Sequence, residues 1–194
     1  MERQLAKVGD VVKFGLTIGT SEVGKGSFFI DPFSMVLKCL NGMQHNEYGS
    51  RKIHLGKNHG SAEAREWYTD ATLQLDDQAF LAKTKDTVEH FFSGPVFDEI
   101  IAKMESASDT PLLAAPKEVI ELVTKKYSFN EEESDLVLEH FIKEDSRSVW
   151  GLGNAVTRAS QDLSSYNRAS EFEAIGGGII ELPRNEWKTV EARA

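Results

Sequence analysis

Val11-Val12-Lys13-Phe14-Gly15-Leu16-Thr17-Ile18-Gly19-Thr20 alternates with period two. Val12, Phe14, Leu16 and Ile18 fall on one side, and Val11, Lys13, Gly15, Thr17 and Gly19 on the other. That is the pattern of a strand with one buried face. Gly24-Lys25-Gly26 then supplies turn chemistry, because glycine accepts positive φ at little steric cost. A second extended stretch runs from Ser27 to Leu40. Pro32 predicts a bulge or break within it, since proline donates nothing to a ladder. Met35, Leu37 and Cys39 share one face there, with Lys38 on the other. Asn41-Gly42 is a strong hairpin-turn signal. Lys52-Ile53-His54-Leu55 reads as a short third strand, with Ile53 and Leu55 inward and Lys52 and His54 outward.

Beyond Gly60 the period lengthens. Ala64, Trp67, Ala71, Leu75, Ala79 and Ala82 recur at steps of three and four, which predicts a long amphipathic helix to about Phe92 with Ser61 as N-cap. Ser93-Gly94-Pro95 breaks it and starts another helix, with Val96, Phe97, Ile100, Ile101 and Met104 as its apolar side. Ser106 to Pro111 reads as a loop. Pro116 opens a short helix carrying Val119, Ile120 and Val123. Asn130 followed by Glu133 predicts a capping box ahead of Leu136 to Phe141. Val149, Leu152, Val156, Ala159, Leu163 and Tyr166 predict one long helix, stopped by Gly176-Gly177-Gly178. Ile179 to Leu182 reads as a final strand. The expected architecture is α+β: an N-terminal antiparallel β-hairpin plus a third strand packed on long helices, with a long C-terminal helix. Residues 1–182 form one domain and 183–194 a frayed tail.

Composition fits that architecture. The chain has 194 residues, 40% hydrophobic and 27% charged, with a formal net charge of −9. These values suit one globular domain with a core of its own. No apolar run approaches the roughly 20 residues of a membrane span. Met1-Glu2-Arg3-Gln4 leads into no apolar segment of the secretory type. The single cysteine, Cys39, excludes an internal disulfide and suggests a reducing compartment. The net charge is unevenly distributed. Residues 1–60 hold eight basic side chains (Arg3, Lys7, Lys13, Lys25, Lys38, Arg51, Lys52, Lys57) against five acidic ones, a net +3. The remainder holds 14 basic against 26 acidic, a net −12.

Most chemical motifs fail. Gly19-Thr20-Ser21-Glu22-Val23-Gly24-Lys25-Gly26 approaches a phosphate-binding loop, but Gly26 stands where Ser or Thr must ligand magnesium, and a strand follows where a helix N-terminus is needed. Cys39, His45, His54 and His59 are a possible metal-ligand set, weakened by the lack of a second cysteine. The alternative is a buried Cys39 with histidines on a polar loop. No GxSxG elbow or HExxH is present, and no acid/base pair assembles, so no enzyme and no cofactor are expected. What remains is a basic sheet face. Lys13, Lys38, Lys52 and His54 lie opposite the apolar side, Arg51 is beside them, and Lys25 and Lys57 sit in neighbouring turns. Such a face can follow a phosphate backbone, while Phe28, Phe29 and Tyr48 are candidates for base stacking. The plainer reading is an ordinary solvated face.

Three stretches carry a resemblance. They are Thr20-Ser21-Glu22-Val23-Gly24-Lys25-Gly26-Ser27; Lys38-Cys39-Leu40-Asn41-Gly42-Met43 with Arg51-Lys52-Ile53-His54; and Trp150-Gly151-Leu152-Gly153-Asn154-Ala155-Val156-Thr157 with Glu173-Ala174-Ile175-Gly176-Gly177. In order and spacing they resemble the uncharacterised phage/plasmid-like family known as domain of unknown function nine-three-two, over roughly Gly15 to Gly178. The resemblance implies a phage, plasmid or prokaryotic chromosomal setting, a cytoplasmic protein and no established activity. More distantly, the order of hairpin, third strand and long helix is similar to RecT/Redβ-type single-strand annealing proteins, which bind single-stranded DNA in a basic groove and assemble into rings or filaments. Two functions are therefore expected in competition. One is a single-stranded DNA-binding, annealing-type recombination protein of mobile-element origin, acting as a homo-oligomer through Lys13, Lys25, Lys38, Arg51, Lys52, His54 and Lys57. Arg158 and Arg168 would add to its groove or pair with acids. The other is a non-enzymatic oligomeric protein-interaction module that uses the apolar stripe from Val149 to Tyr166.

Overall fold

The computed structural model describes residues 2–5, 10–19, 28–36, 41–45, 50–52, 68–144 and 146–188. It is an α+β fold. Five strands, β1 (Glu2–Gln4), β2 (Val11–Gly19), β3 (Phe28–Val36), β4 (Asn41–Gln44) and β5 (Ser50–Lys52), form an antiparallel sheet in the order β1-β2-β3-β4. β4 and β5 lie end to end along the same edge of β3, pairing with Phe33–Val36 and Phe28–Ile30 respectively. Among the described residues six α-helices follow: α1 (Asp70–Phe91), α2 (Gly94–Asp109), α3 (Pro116–Tyr127), α4 (Glu131–Lys143), α5 (Val149–Ala159) and α6 (Tyr166–Glu181).

The alternation in β2 has the expected consequence in its first half, whereas Ile18, expected on the same buried face, is 56% exposed. Val12 and Phe14 are buried and Lys13 is exposed. Across the ladder, Val12 meets Val36, Phe14 meets Ser34 and Leu16 meets Pro32, so the even-numbered row of both strands faces the helices. Phe14 packs edge-on against Phe97 of α2 at 4.4 Å between ring centroids. Burying two such rings stabilises the sheet–helix contact by about 3–6 kcal/mol.

Two expectations about β3 fail. No break occurs at Pro32, because strand pairing with β2 is continuous from Phe29 to Val36. The Pro32 carbonyl accepts from the His45 N–H at 2.8 Å. Its amide nitrogen therefore also points to the β4/β5 edge, between the segments those strands pair with, and no ladder bond to β2 is lost. Nor is Asn41-Gly42 a turn. Asn41 begins β4, with Asn41 opposite Val36 and Gly42 opposite Met35. The inward residues near the end of β3 are Ser34 and Val36, while Met35 lies in the outer row beside Lys13. Leu37, Lys38 and Cys39 lie outside the described residues, as do Ile53, His54 and Leu55 of the expected third strand.

The helices follow the sequence more closely at their starts than at their ends. Asn130 and Glu133 form the expected capping box, with Glu133 N–H to Asn130 Oδ1 at 2.9 Å and Asn130 N–H to Glu133 Oε2 at 2.9 Å. The first described helix is capped by Thr69, and Ser61 lies outside the described residues. α2 continues to Asp109, through the first part of the expected loop. The expected single helix from Val149 to the triple glycine is two helices, α5 and α6, joined by a short 3-10 turn at Ser160–Asp162. The triple glycine does not stop α6, and residues 179–181 are helical, not a strand.

The reason lies in packing. Added Cβ atoms at Gly176 and Gly177 would collide with Thr157 of α5 and with the backbone oxygen of Gln44 in β4, and one at Gly153 would stand 2.9 Å from Ile180. These glycines let α6 wedge between α5 and β4. Close backbone contact outweighs the roughly 1 kcal/mol helix penalty of each glycine. Trp187, in a 3-10 turn at Arg184–Trp187, is buried in the same core, so the start of the expected tail is docked.

Candidate nucleic-acid interface

The outer row of the sheet is the candidate surface. On β2 it comprises Lys13, Gly15, Thr17 and Gly19, and on β3 Phe29, Asp31, Phe33 and Met35. Phe33 lies directly across from Gly15, and Phe29 across from Gly19. Each phenylalanine ring reaches over its glycine: a Cβ added at Gly15 would stand 2.6 Å from Phe33 Cζ, and one at Gly19 would collide with the Phe29 ring. Glycine thus gives each ring a seat on the neighbouring strand, and both rings stay half-buried. Asp31 lies between them in the row and is buried.

Of the basic residues expected here, Lys13 is in the outer row, with 53% of its side chain exposed and its ammonium 3.6 Å from Glu2. Arg51 and Lys52 lie in β5, paired with Phe29 and Phe28 respectively. Alternation over 52–55 would set Lys52 in the row of Lys13. The register sets Arg51 there, and Lys52 in the row of Phe28. At this end of the sheet Phe28 meets Phe80 of α1 edge-on at 4.9 Å. Lys25, Lys38, His54 and Lys57 lie outside the described residues, as does Tyr48. Phe28, expected as a stacking residue, thus has its ring against a helix. Phe33, not Phe28, shares the outer row with Phe29, and its signal is the Gly15–Phe33 register, which no single strand displays.

No family model, no curated protein and no solved structure matches this chain.

The other polar clusters hold the sheet to the helices. His45 is 1% exposed and stacks on Phe14. Its Nε2 is 2.9 Å from Ser34 Oγ and its Nδ1 is 3.1 Å from Glu181 Oε1. A Ser–His–Glu chain is the arrangement that activates a nucleophile, but Ser34 is fully buried. Its function here is to tie β3 and β4 to the end of α6. Among the described residues no group of three or more His, Cys, Asp or Glu could hold a metal; Cys39, His54 and His59 lie outside them. Next along the seam, Gln44 Nε2 donates to Ser170 Oγ at 3.0 Å and Glu173 Oε2 at 3.2 Å. Burial pushes the Glu173 carboxyl above its ordinary value, partly offset by the Gln44 bond.

Arg168 is paired with acids. It makes a two-pronged contact with Glu133, Nε to Oε1 at 2.7 Å and NH2 to Oε2 at 2.8 Å, and NH1 reaches Glu171 at 2.7 Å. Its guanidinium also lies 5.0 Å from the Phe172 ring centroid. The Arg168 hydrogen bonds hold the Glu133 carboxyl below its ordinary value. Because the folded value is depressed, the pair contributes stability above the unfolded pKa of Glu133 and loses it as pH falls through the folded one. Arg168→Met is expected to lower unfolding free energy by about 2 kcal/mol at neutral pH, discounted because a quarter of the arginine is in solvent. Urea titrations from pH 7 downward should show the gap between variant and parent closing once Glu133 protonates. A gap constant with pH contradicts this role.

Proposed function

We propose that this chain binds single-stranded DNA on the outer face of its sheet and acts, without catalysing a reaction, in annealing-type recombination of phage or mobile-element origin. The observation that carries the reading is the pair of phenylalanine rings, Phe29 and Phe33, seated on Gly19 and Gly15 in the same row as Lys13. Four residues along a strand set them about 13 Å apart. Every base has a π-face, so such rings bind single strands without reading their sequence. The phosphate path follows the Lys13 and Arg51 margins, because the buried Asp31 occupies the space between the rings. The net +3 of residues 1–60 supports the same face, and the phage or mobile-element origin rests on the motif resemblance. A cytoplasmic location belongs to this proposal. Among the described residues no helix is long and apolar enough to cross a membrane.

The test is a fluorescence-anisotropy titration of a labelled oligothymidylate at rising salt. Affinity should fall steeply, and Lys13→Glu should weaken binding and make the log–log salt slope shallower by about 0.7 for each phosphate no longer neutralised. Absence of binding at low salt contradicts the reading. A second reading, an oligomeric protein-interaction module, loses the stripe from Val149 to Tyr166. Val149, Leu152, Val156 and Ala159 are buried in the core, and Tyr166 stands alone at 85% exposure.

A further inference from the structure

β2 is open along part of one edge. β1 pairs with it only at Val11–Lys13, and among the described residues no strand pairs with Gly15–Gly19 on that side. Two bonds fix how the backbone is turned. Leu5 N–H donates to the Asp10 carbonyl at 2.8 Å, so even-numbered residues of β2 turn their N–H and C=O toward the β1 side. The Pro32 carbonyl turns away from β2 to the His45 N–H, so Leu16, opposite Pro32, also turns toward the open edge. Leu16 and Ile18 thus present two donors and two acceptors there. Ile18 lies in the inner row yet is 56% exposed, and Thr17 beside it is exposed. Sheet edges are commonly blunted by charge, proline or a bulge. Gly15-Leu16-Thr17-Ile18-Gly19 carries no charge and no proline, and its register with β3 is continuous.

Such an edge is completed by a strand with the same groups at the same spacing, and this segment supplies that strand to itself. We propose that β2 pairs antiparallel with β2 of a second copy of this chain, about a two-fold axis normal to the sheet at Thr17. Leu16 then lies opposite Ile18 of the second copy, and Ile18 opposite its Leu16. Each pair exchanges two backbone hydrogen bonds, which satisfies every outward donor and acceptor of both residues. The side chains of each pair meet in the inner row, where Leu16 covers the exposed Ile18. Gly15 lies opposite Gly19 of the second copy, so no new side chain crowds the Phe33 and Phe29 rings seated there. β1 fixes the register. An axis at Leu16 sets Gly19 of the second copy against Lys13, where Glu2 already pairs. An axis at Ile18 shortens the overlap to Thr17–Gly19. Because the axis is normal to the sheet, the outer rows of both copies face the same side.

The pairing rests on the sheet edge and not on the DNA reading, so no nucleic acid is added to the test. The parent should dimerise in sedimentation equilibrium of the full chain at about 10–100 μM, the range of a small interface. Ile18→Lys places a charge at an exposed edge position, and Ile18→Pro removes a donor that faces away from β3. Each should leave a monomer that circular dichroism shows to be folded. A cross-link reads the register. With Cys39→Ser as background, Thr17→Cys sets two thiols across the axis at a Cα separation of about 4.5 Å, within disulfide range, and should give a covalent dimer under mild oxidation. Lys13→Cys sets them about 27 Å apart and should not. A parent that stays monomeric at about 100 μM, a dimer unmoved by both Ile18 variants, or a cross-link as efficient at position 13 as at 17 each overturns the proposal.

Discussion

Gly177→Ala is expected to destabilise the protein by about 3 kcal/mol, whereas Gly178→Ala, one residue along the same helix, should stabilise it by about 0.5–1 kcal/mol. The difference comes from what each new methyl group meets. At Gly177 it would collide with the Gln44 backbone oxygen, and backbone cannot rotate aside as a side chain does. At Gly178 nothing lies within 4 Å, and the gain is the lower backbone entropy of alanine in the unfolded chain. At roughly 2–4 °C per kcal/mol for a chain of this size, the two variants should melt about 10 °C apart by scanning calorimetry. Equal melting points would mean that α6 does not wedge against β4.

His45→Ala should be far more damaging than its polar partners suggest, at about 3–4 kcal/mol. It removes a fully buried ring that stacks on Phe14 and leaves a cavity. It also strands two polar partners, the Ser34 hydroxyl and the Glu181 carboxylate, which is only 10% exposed. Each is left without a bond that water cannot easily replace. Ser34→Ala removes the hydroxyl itself and should cost only about 1 kcal/mol. Guanidinium titrations of both variants read the contrast directly. A His45→Ala protein no weaker than Ser34→Ala would show that the imidazole does not join β4 to α6.

Both sites explain where the sequence is legible and where it is not. β2 can be read because one face is covered by helices along Val12 and Phe14, so burial imposes alternation on the residues themselves. The capping box of α4 is local, and its two residues report directly on a helix start. The triple glycine has two opposite meanings. Taken alone it ends helices; against α5 and β4 it permits contact, and only the partner strand distinguishes them. Pro32 misleads for the same reason, since its harmlessness depends on the gap between β4 and β5. In α1 two runs are present in the sequence, but the more regular Ala71–Leu75–Ala79–Ala82 run is exposed and faces away from the core. The one made of Phe80, Thr84, Val88 and Phe91 is the side that packs.

The candidate interface is legible only in part. Lys13 is visible from alternation alone. The seating of Phe33 on Gly15 is not, because cross-strand neighbours are 18 residues apart in the chain and meet only when the register is known. Phe28 and Phe29 are adjacent and look equivalent, yet adjacent strand residues face opposite ways, so one meets α1 and the other the outer face.

The measurement that tests the central claim most directly is the affinity of the Phe29→Leu/Phe33→Leu double variant for a labelled single-stranded oligothymidylate at low salt, beside the parent. Leucine keeps apolar bulk over Gly19 and Gly15 and leaves every charge in place, but it removes the π-face. With stacking contributing about 1–3 kcal/mol per base, the predicted result is a loss of roughly 30-fold or more with an unchanged salt slope. A double variant that is folded and binds as tightly as the parent would contradict the assignment of this face.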